Sequence, residues 1–121
     1  MLKRSTKFSC GYDLPAAETY TLAPGERKKI ATGIKLNIPN DVWGEIKSRS
    51  SLAAKGIDVC GGVIDADYHD EVFVMLHNYS TEPYIIAKDS RIAQIIFQKY
   101  YEINESVNNV ERNGGFGSTG L

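Results

Sequence analysis

The chain has 121 residues, with 14 Lys plus Arg against 15 Asp plus Glu and only two cysteines, Cys10 and Cys60. That length fits one domain that buries a core without disulfide or metal staples, and near-balanced charge excludes the broad basic field that binds duplex nucleic acid. Two thiols make no secreted disulfide framework. No apolar run approaches the ~20 residues that span a bilayer, and Met1-Leu2-Lys3-Arg4-Ser5-Thr6-Lys7 lacks the apolar centre of a signal peptide. The expectation is an intracellular protein, cytoplasmic or nuclear, with no membrane or nucleic-acid partner.

In chain order, Gly11-Tyr12-Asp13-Leu14 first sets an acid between a turn glycine and an apolar anchor, which alone is ordinary turn chemistry. Pro24-Gly25 turns the chain into a predicted strand over 28–38, where Ile30, Ile34, Leu36 and Ile38 hold even positions. Pro39-Asn40-Asp41 ends it, and Val42 to Lys47 is the next predicted strand. Ser51 to Lys55 is the one helical turn, with good helix formers behind a capping serine. The run Gly61-Gly62-Val63-Ile64-Asp65-Ala66-Asp67-Tyr68 is hairpin-prone. Its glycines let main chain approach a ligand closely, Val63 and Ile64 anchor a strand, and Asp65 leaves that strand as a carboxylate beside an aromatic ring. Glu71 to Tyr79 alternates through Val72, Val74 and Leu76 as a further strand. After Thr81-Glu82-Pro83, Tyr84-Ile85-Ile86 and Arg91 to Phe97 read as buried strands. Short β-branched and aromatic runs between Gly, Pro, Asn and Asp, with little helical periodicity, predict an all-β antiparallel barrel or sandwich.

Beyond Tyr101 the chain turns polar and then glycine-rich, through Arg112-Asn113-Gly114-Gly115-Phe116-Gly117-Ser118-Thr119-Gly120-Leu121. Such a segment cannot bury enough apolar surface to order itself, and a lone Phe116 among glycines suits a lid that stacks on a ring. Ser48-Arg49-Ser50-Ser51-Leu52 combines a guanidinium fork, hydroxyls and backbone amides, which makes either a phosphate cradle or a helix cap beside a solvated arginine. The sequence carries no P-loop, HExxH or paired CxxC pattern, and His69 and His77 stand outside any metal-ligand spacing.

Five segments, Cys10-Gly11-Tyr12-Asp13-Leu14, then 48–56, 62–72, 91–97 and 112–120, follow one another in the order of the five motifs of the trimeric deoxyuridine triphosphatase (dUTPase) family, which the chain closely resembles over nearly its whole length. Arg-Ser-Ser-Leu, Gly-Val-Ile-Asp-x-Asp-Tyr and Gly-Gly-Phe-Gly-Ser-Thr-Gly in that order are jointly specific. The resemblance implies a distorted jelly-roll-like β-barrel over 1–104 and a flexible C-terminal arm over 105–121 that closes a neighbouring active site. It implies a Mg2+-dependent dUTP diphosphatase that limits uracil incorporation into DNA and supplies dUMP for thymidylate synthesis. Asp65 is then the general base that activates water for in-line attack on the α-phosphate, and Tyr68 packs on the deoxyribose. The main chain of Gly62, Val63 and Ile64, with that of Phe73, reads the uracil edge. Arg49, Ser50, Ser51 and Gln94 hold the phosphates, and Asp13 steadies the magnesium through water. Arg112, Phe116, Gly117, Ser118 and Thr119 close over base and phosphates. The implied assembly is a homotrimer with shared sites, of cellular or viral origin.

The chain departs from the family pattern in five places. Arg112 stands one residue closer to Phe116 than usual, and Ser48 replaces a common proline, freeing φ and adding a donor. His69-Asp70 replaces Arg-Gly, which puts an aspartate where a left-handed turn is expected, at a cost relative to glycine. Lys88-Asp89-Ser90 lacks the usual turn glycine. Only nine residues precede Cys10, so a first closing strand is expected to be incomplete. The enzymatic rival is a dCTP deaminase, which shares the fold and an Arg-Ser-Ser-Leu-like segment; Tyr68 and the glycine-rich tail favour hydrolysis. A rival of another class is a catalytically weak relative that binds protein through its trimer surface, for which the short spacer after Arg112 is the one motif change.

Overall fold

Alternation decides the central strand: from Glu71 to Asn78 every second residue, Val72, Val74, Leu76 and Asn78, is buried, and those between are half exposed. A strand of period two with one apolar face packs that face on a core. The computed structural model describes residues 2–106. Along them run β1 (Tyr12–Pro15), β2 (Tyr20–Leu22), β3 (Arg27–Lys35), β4 (Val42–Ser48), α1 (Ser50–Ala53), β5 (Ile57–Cys60), β6 (Val63–Ile64), β7 (Glu71–Asn78), β8 (Tyr84–Ile86) and β9 (Arg91–Lys99). The strands form three sheets, ordered β1-β9-β4-β6, β3-β7-β5 and β2-β8. Every strand pairing is antiparallel. This is the all-β, distorted jelly-roll-like barrel that the sequence implies.

The core lies between the sheets, where Leu14, Leu22, Ile30, Ile57, Val72, Val74, Leu76, Ile86, Ile92 and Ile95 are almost wholly buried. Each such side chain contributes roughly 1.5–3 kcal/mol of hydrophobic stabilisation. The one fully buried polar side chain of that set is Asn78. Its Nδ2 donates to the carbonyls of Leu22 and Glu82, and its Oδ1 accepts from the Ser80 amide and hydroxyl. Both ends of the amide are thus satisfied, as burial demands.

Several expectations change in the structure. The strand predicted over 28–38 ends at Lys35 because Gly33 takes a left-handed φ of 73° and the β3–β7 register slips between Ala31 and Lys35. The Thr32 hydroxyl and the Glu71 carboxylate then take up the local backbone groups, with Thr32 Oγ1 donating to the Val72 carbonyl and the Gly33 amide donating to Glu71 Oε2. Tyr84–Ile86 is not buried on both faces: β8 pairs only with β2, and Ile85 is 68 % exposed. Strands β1, β2 and β5 had no strong alternation to announce them. The helical turn begins at Ser50, and no side chain caps it: Arg49 occupies the cap with extended φ and ψ, and its guanidinium donates to the Arg91 carbonyl instead. Asp70 does not take a left-handed conformation; among the described non-glycine residues only Asp89 does, at φ 70°. Ahead of β1 a single isolated bridge joins Lys3 to Asp13.

Candidate active site

The predicted site residues fall into two groups on different parts of the surface. The first is a phosphate-type face on β1, β9 and the end of β4. Asp13 lies directly across from Gln94, which in turn lies across from Lys47, so the three residues form one outward row. Gly11 makes room for the glutamine: a Cβ there would sit 2.5 Å from Gln94 Oε1. Gln94 Nε2 donates to the Ser48 carbonyl at 3.2 Å, and Arg49 Nη1 donates to the Arg91 carbonyl at 3.0 Å. Asp13 Oδ2 accepts from the Ser5 hydroxyl at 2.9 Å and lies 3.7 Å from Arg91 Nη1. Two clefts meet here and share Asp89 and Arg91. One, about 520 Å³, is lined by Lys3, Arg4, Ser5 and Asp13, and the other, about 320 Å³, by Arg49, Ser51 and Lys55. Ser50 and Ser51 are exposed at the start of α1. The guanidinium, ammonium and hydroxyl groups of this face are donors of the kind that can hold a polyanion.

The second group surrounds the glycine pair, and it corrects the hairpin expectation. Strand β6 does not pair with β7, the return strand that carries Phe73, nor with β5: β6 joins β4, while β5 joins β7. The turn at Gly61 and Gly62 therefore carries the chain from one sheet to another, and the two strands diverge into a fork. A cleft of about 450 Å³ occupies it, lined by Val59 to Ile64, Ile46, Arg27, Phe73 and Met75. Gly62 is required at its root. It has φ 105°, its carbonyl accepts from the Ile46 amide at 2.8 Å, and a Cβ there would lie 2.7 Å from the Ile46 carbonyl oxygen.

Beyond β6 a tight turn runs from Asp65 to Tyr68, closed by the Tyr68 amide on the Asp65 carbonyl at 3.1 Å. The Tyr68 hydroxyl donates to the Glu71 carbonyl at 2.6 Å, which fixes the ring. Asp65 is exposed and lines a second cleft of about 670 Å³ with Trp43, Val63, Asp67 and Tyr100. Phe73 lies on β7 beneath the Lys29 ammonium, 4.2 Å from the ring centre.

The structure thus brings Gly62, Val63, Ile64 and Phe73 to one cleft, with Asp65 and Tyr68 beside it, and gathers Asp13, Arg49, Ser51 and Gln94 on another face. Among the described residues, none of these four clefts contains members of both groups. Arg112, Phe116, Gly117, Ser118 and Thr119 lie outside the described residues. Sequence reasoning missed Arg91, which partners both Asp13 and Arg49, and Lys47, which extends the row of Gln94. A polar residue facing Gln94 across a strand pair is a signal of register, invisible until the pairing is known. Among the described residues no cluster of three or more His, Cys, Asp or Glu could enclose a metal.

Comparison with known proteins gives the family of the chain. The dUTPase family model matches residues 1–120. The deoxyuridine 5′-triphosphate nucleotidohydrolase of Variola virus is 43 % identical over 123 residues, spanning 98 % of this chain and 84 % of the viral protein. A mutant dUTPase of Staphylococcus phage 80alpha, solved with dUpNHpp, superposes with a TM-score of 0.84 at 26 % identity, over all of this chain and 92 % of that one. A mutant dUTPase of S. aureus phage phi11, described as coordinating a structural Mg(II) ion, gives a TM-score of 0.82 at 25 % identity, covering 93 % and 90 %. With the family model running essentially end to end and the fold and motifs agreeing, this chain belongs to the dUTPase family and is a dUTP-hydrolysing enzyme.

Proposed function

We propose that the protein acts as a homotrimer and cleaves dUTP to dUMP and pyrophosphate in composite sites, each joining the fork of one copy to the phosphate face of a neighbour. The observation that supports this reading is the separation of the two groups: among the described residues, those assigned to the uracil edge and those assigned to the phosphates share none of the four clefts described. A nucleotide that needs both must bridge two copies. Val63, Tyr100, Tyr101 and Ile103 are large apolar residues left exposed around Asp65 and beyond β9, and burial against another copy is a favourable use for them.

In this reading uracil enters the fork, where fixed peptide groups of Gly62, Val63, Ile64 and Phe73 pair with its edge. A site built of such groups rejects cytosine because its amino group, or the site's own groups, would be left unpaired. Tyr68, its hydroxyl held by the Glu71 carbonyl, packs its ring on the sugar and excludes a 2′-hydroxyl. Arg49, Ser50, Ser51 and Gln94 of the neighbouring copy bind the phosphate chain. Asp65 accepts the proton of a water aligned for attack on the α-phosphorus, and the P–O bond to the β-phosphate breaks as the new one forms. Arg112, Phe116, Gly117, Ser118 and Thr119 close last, which excludes water and fixes geometry; good orientation supplies on the order of 7–11 kcal/mol of a barrier.

The residues present fit magnesium only as a passenger on the nucleotide. The two carboxylates of that cleft, Asp89 and Asp13 with Arg91 beside it, are too few to enclose the ion, but Mg2+ on phosphate oxygens keeps several waters, and Asp13 can accept hydrogen bonds from those. When bound, the ion neutralises phosphate charge. The poxvirus likeness supports a viral origin, and a dUTP substrate favours a place inside the cell.

A panel of dUTP, dTTP, dCTP and UTP with magnesium, read as pyrophosphate and ammonia, tests the assignment. Pyrophosphate from dUTP alone is expected. Ammonia from dCTP would move the chain to the deaminases, and no product from any nucleotide would make it a binding protein.

A further inference from the structure

We infer that the Ser48 hydroxyl sets the width of the base-binding fork and is a specificity-determining positioning residue. The inference rests on the reading above, in which the fork binds the pyrimidine. Strand β4 carries both lips of that fork by different means. It holds β6 through a regular ladder, Gly44 with Ile64 and Glu45 with Val63, continued by the Ile46 amide on the Gly62 carbonyl. It holds β5 at the far lip through a side chain, because the strands have parted: the Val59 amide donates to Ser48 Oγ at 2.9 Å.

An unpaired amide in a half-buried place costs free energy, so the hydroxyl keeps β5 near β4 where no main-chain partner reaches it. The same residue's carbonyl receives Gln94 Nε2 at 3.2 Å. Ser48 therefore joins the fork to the phosphate face within one chain, and one displacement at its backbone moves both. If the fork widens, its peptide groups no longer meet a uracil edge at hydrogen-bond distance, and the geometric penalty against cytosine falls with it.

The test compares wild type, Ser48→Ala and Ser48→Thr, measuring kcat and KM for dUTP and dCTP together with the melting temperature. Ser48→Ala is expected to lower the ratio of kcat/KM for dUTP over dCTP by about tenfold, the scale of one lost hydrogen bond to a half-buried amide, mainly through a higher KM for dUTP. Ser48→Thr retains the hydroxyl and is expected to restore the ratio. A merely structural role would lower the melting temperature and leave the ratio alone, so an unchanged ratio overturns the inference. Should Ser48→Ala fail to fold, hydrogen exchange in the wild type decides: slower exchange of the Val59 amide with dUMP bound supports the coupling, and equal exchange overturns it. Wild-type enzyme that releases no pyrophosphate from dUTP instead removes the functional reading, an outcome separate from either.

Discussion

The fork and the phosphate face differ in how they present their chemistry. The face on β1, β9 and β4 offers side chains adjustable by rotation: Asp13, Gln94 and Lys47, arranged by strand register, and Arg49 at the cap of α1. The fork offers main chain, exposed because β5 and β6 belong to different sheets. Side-chain donors suit a polyanion with many equivalent oxygens, whereas discrimination among pyrimidines asks for groups that cannot move to suit the wrong base. In the proposed reading the rigid element faces the part of the ligand that must be read, and the mobile one faces the part that must only be held.

Breaking the chemistry while keeping both regions gives the largest effect. Asp65→Asn should lower turnover by a factor of roughly 10²–10⁴, the usual cost of a lost general base, with affinity for dUMP nearly unchanged. Unaltered turnover, measured as pyrophosphate release under saturating dUTP, removes Asp65 from that role. Deleting Arg112 to Leu121 should next spare the thermal transition and abolish most of the activity. A truncated protein without a cooperative transition would make the tail part of the fold.

Gly62→Ala sharpens the comparison by closing the fork alone. The added Cβ meets the Ile46 carbonyl at 2.7 Å with the backbone at φ 105°, conditions that store about 1–3 kcal/mol of strain. Urea denaturation should show a loss of that order, and dUMP binding should fall while affinity for inorganic pyrophosphate persists. Loss of both ligands in parallel would mean that the two regions do not bind independently.

These contrasts also show what the sequence could and could not reveal. Val72, Val74 and Leu76 announced their strand, and Val42 to Lys47 theirs, because one buried face forces period two. The joint order of five motifs pointed to Asp65, Arg49 and the glycine pair as site residues. What stayed hidden was pairing. Nothing local distinguishes a Gly-Gly turn that closes a hairpin from one that passes between sheets, since both need the same φ values. Ile85 looked buried because its neighbours are apolar, yet the edge position of β8 is a property of the whole sheet. Asp70 and Lys88-Asp89-Ser90 both stood where a turn glycine is usual; the turn before Asp70 is closed by Tyr68 on Asp65, and only Asp89 takes the left-handed φ.

The smallest effect concerns stability apart from either region. Glu26, at the turn before β3, accepts from the Ala23 amide at 2.8 Å and lies 3.5 Å from the Lys28 ammonium. The Ala23 hydrogen bond first, and then the Lys28 charge, hold its carboxyl below the usual glutamate value of 4.5. A carboxyl depressed in the folded state favours folding above its unfolded value, and that contribution is lost as pH falls through the lower folded value. Glu26→Gln keeps an acceptor for Ala23 and removes the charge. The variant should be slightly less stable than wild type at neutral pH, and the gap should close on acidification below the ordinary glutamate range. Because Glu26 lines neither the fork nor the phosphate clefts, its substitution should leave the preference for dUTP over dCTP unchanged at every pH where the protein is folded. A stability gap that widens in acid would assign the depressed carboxyl a different partner.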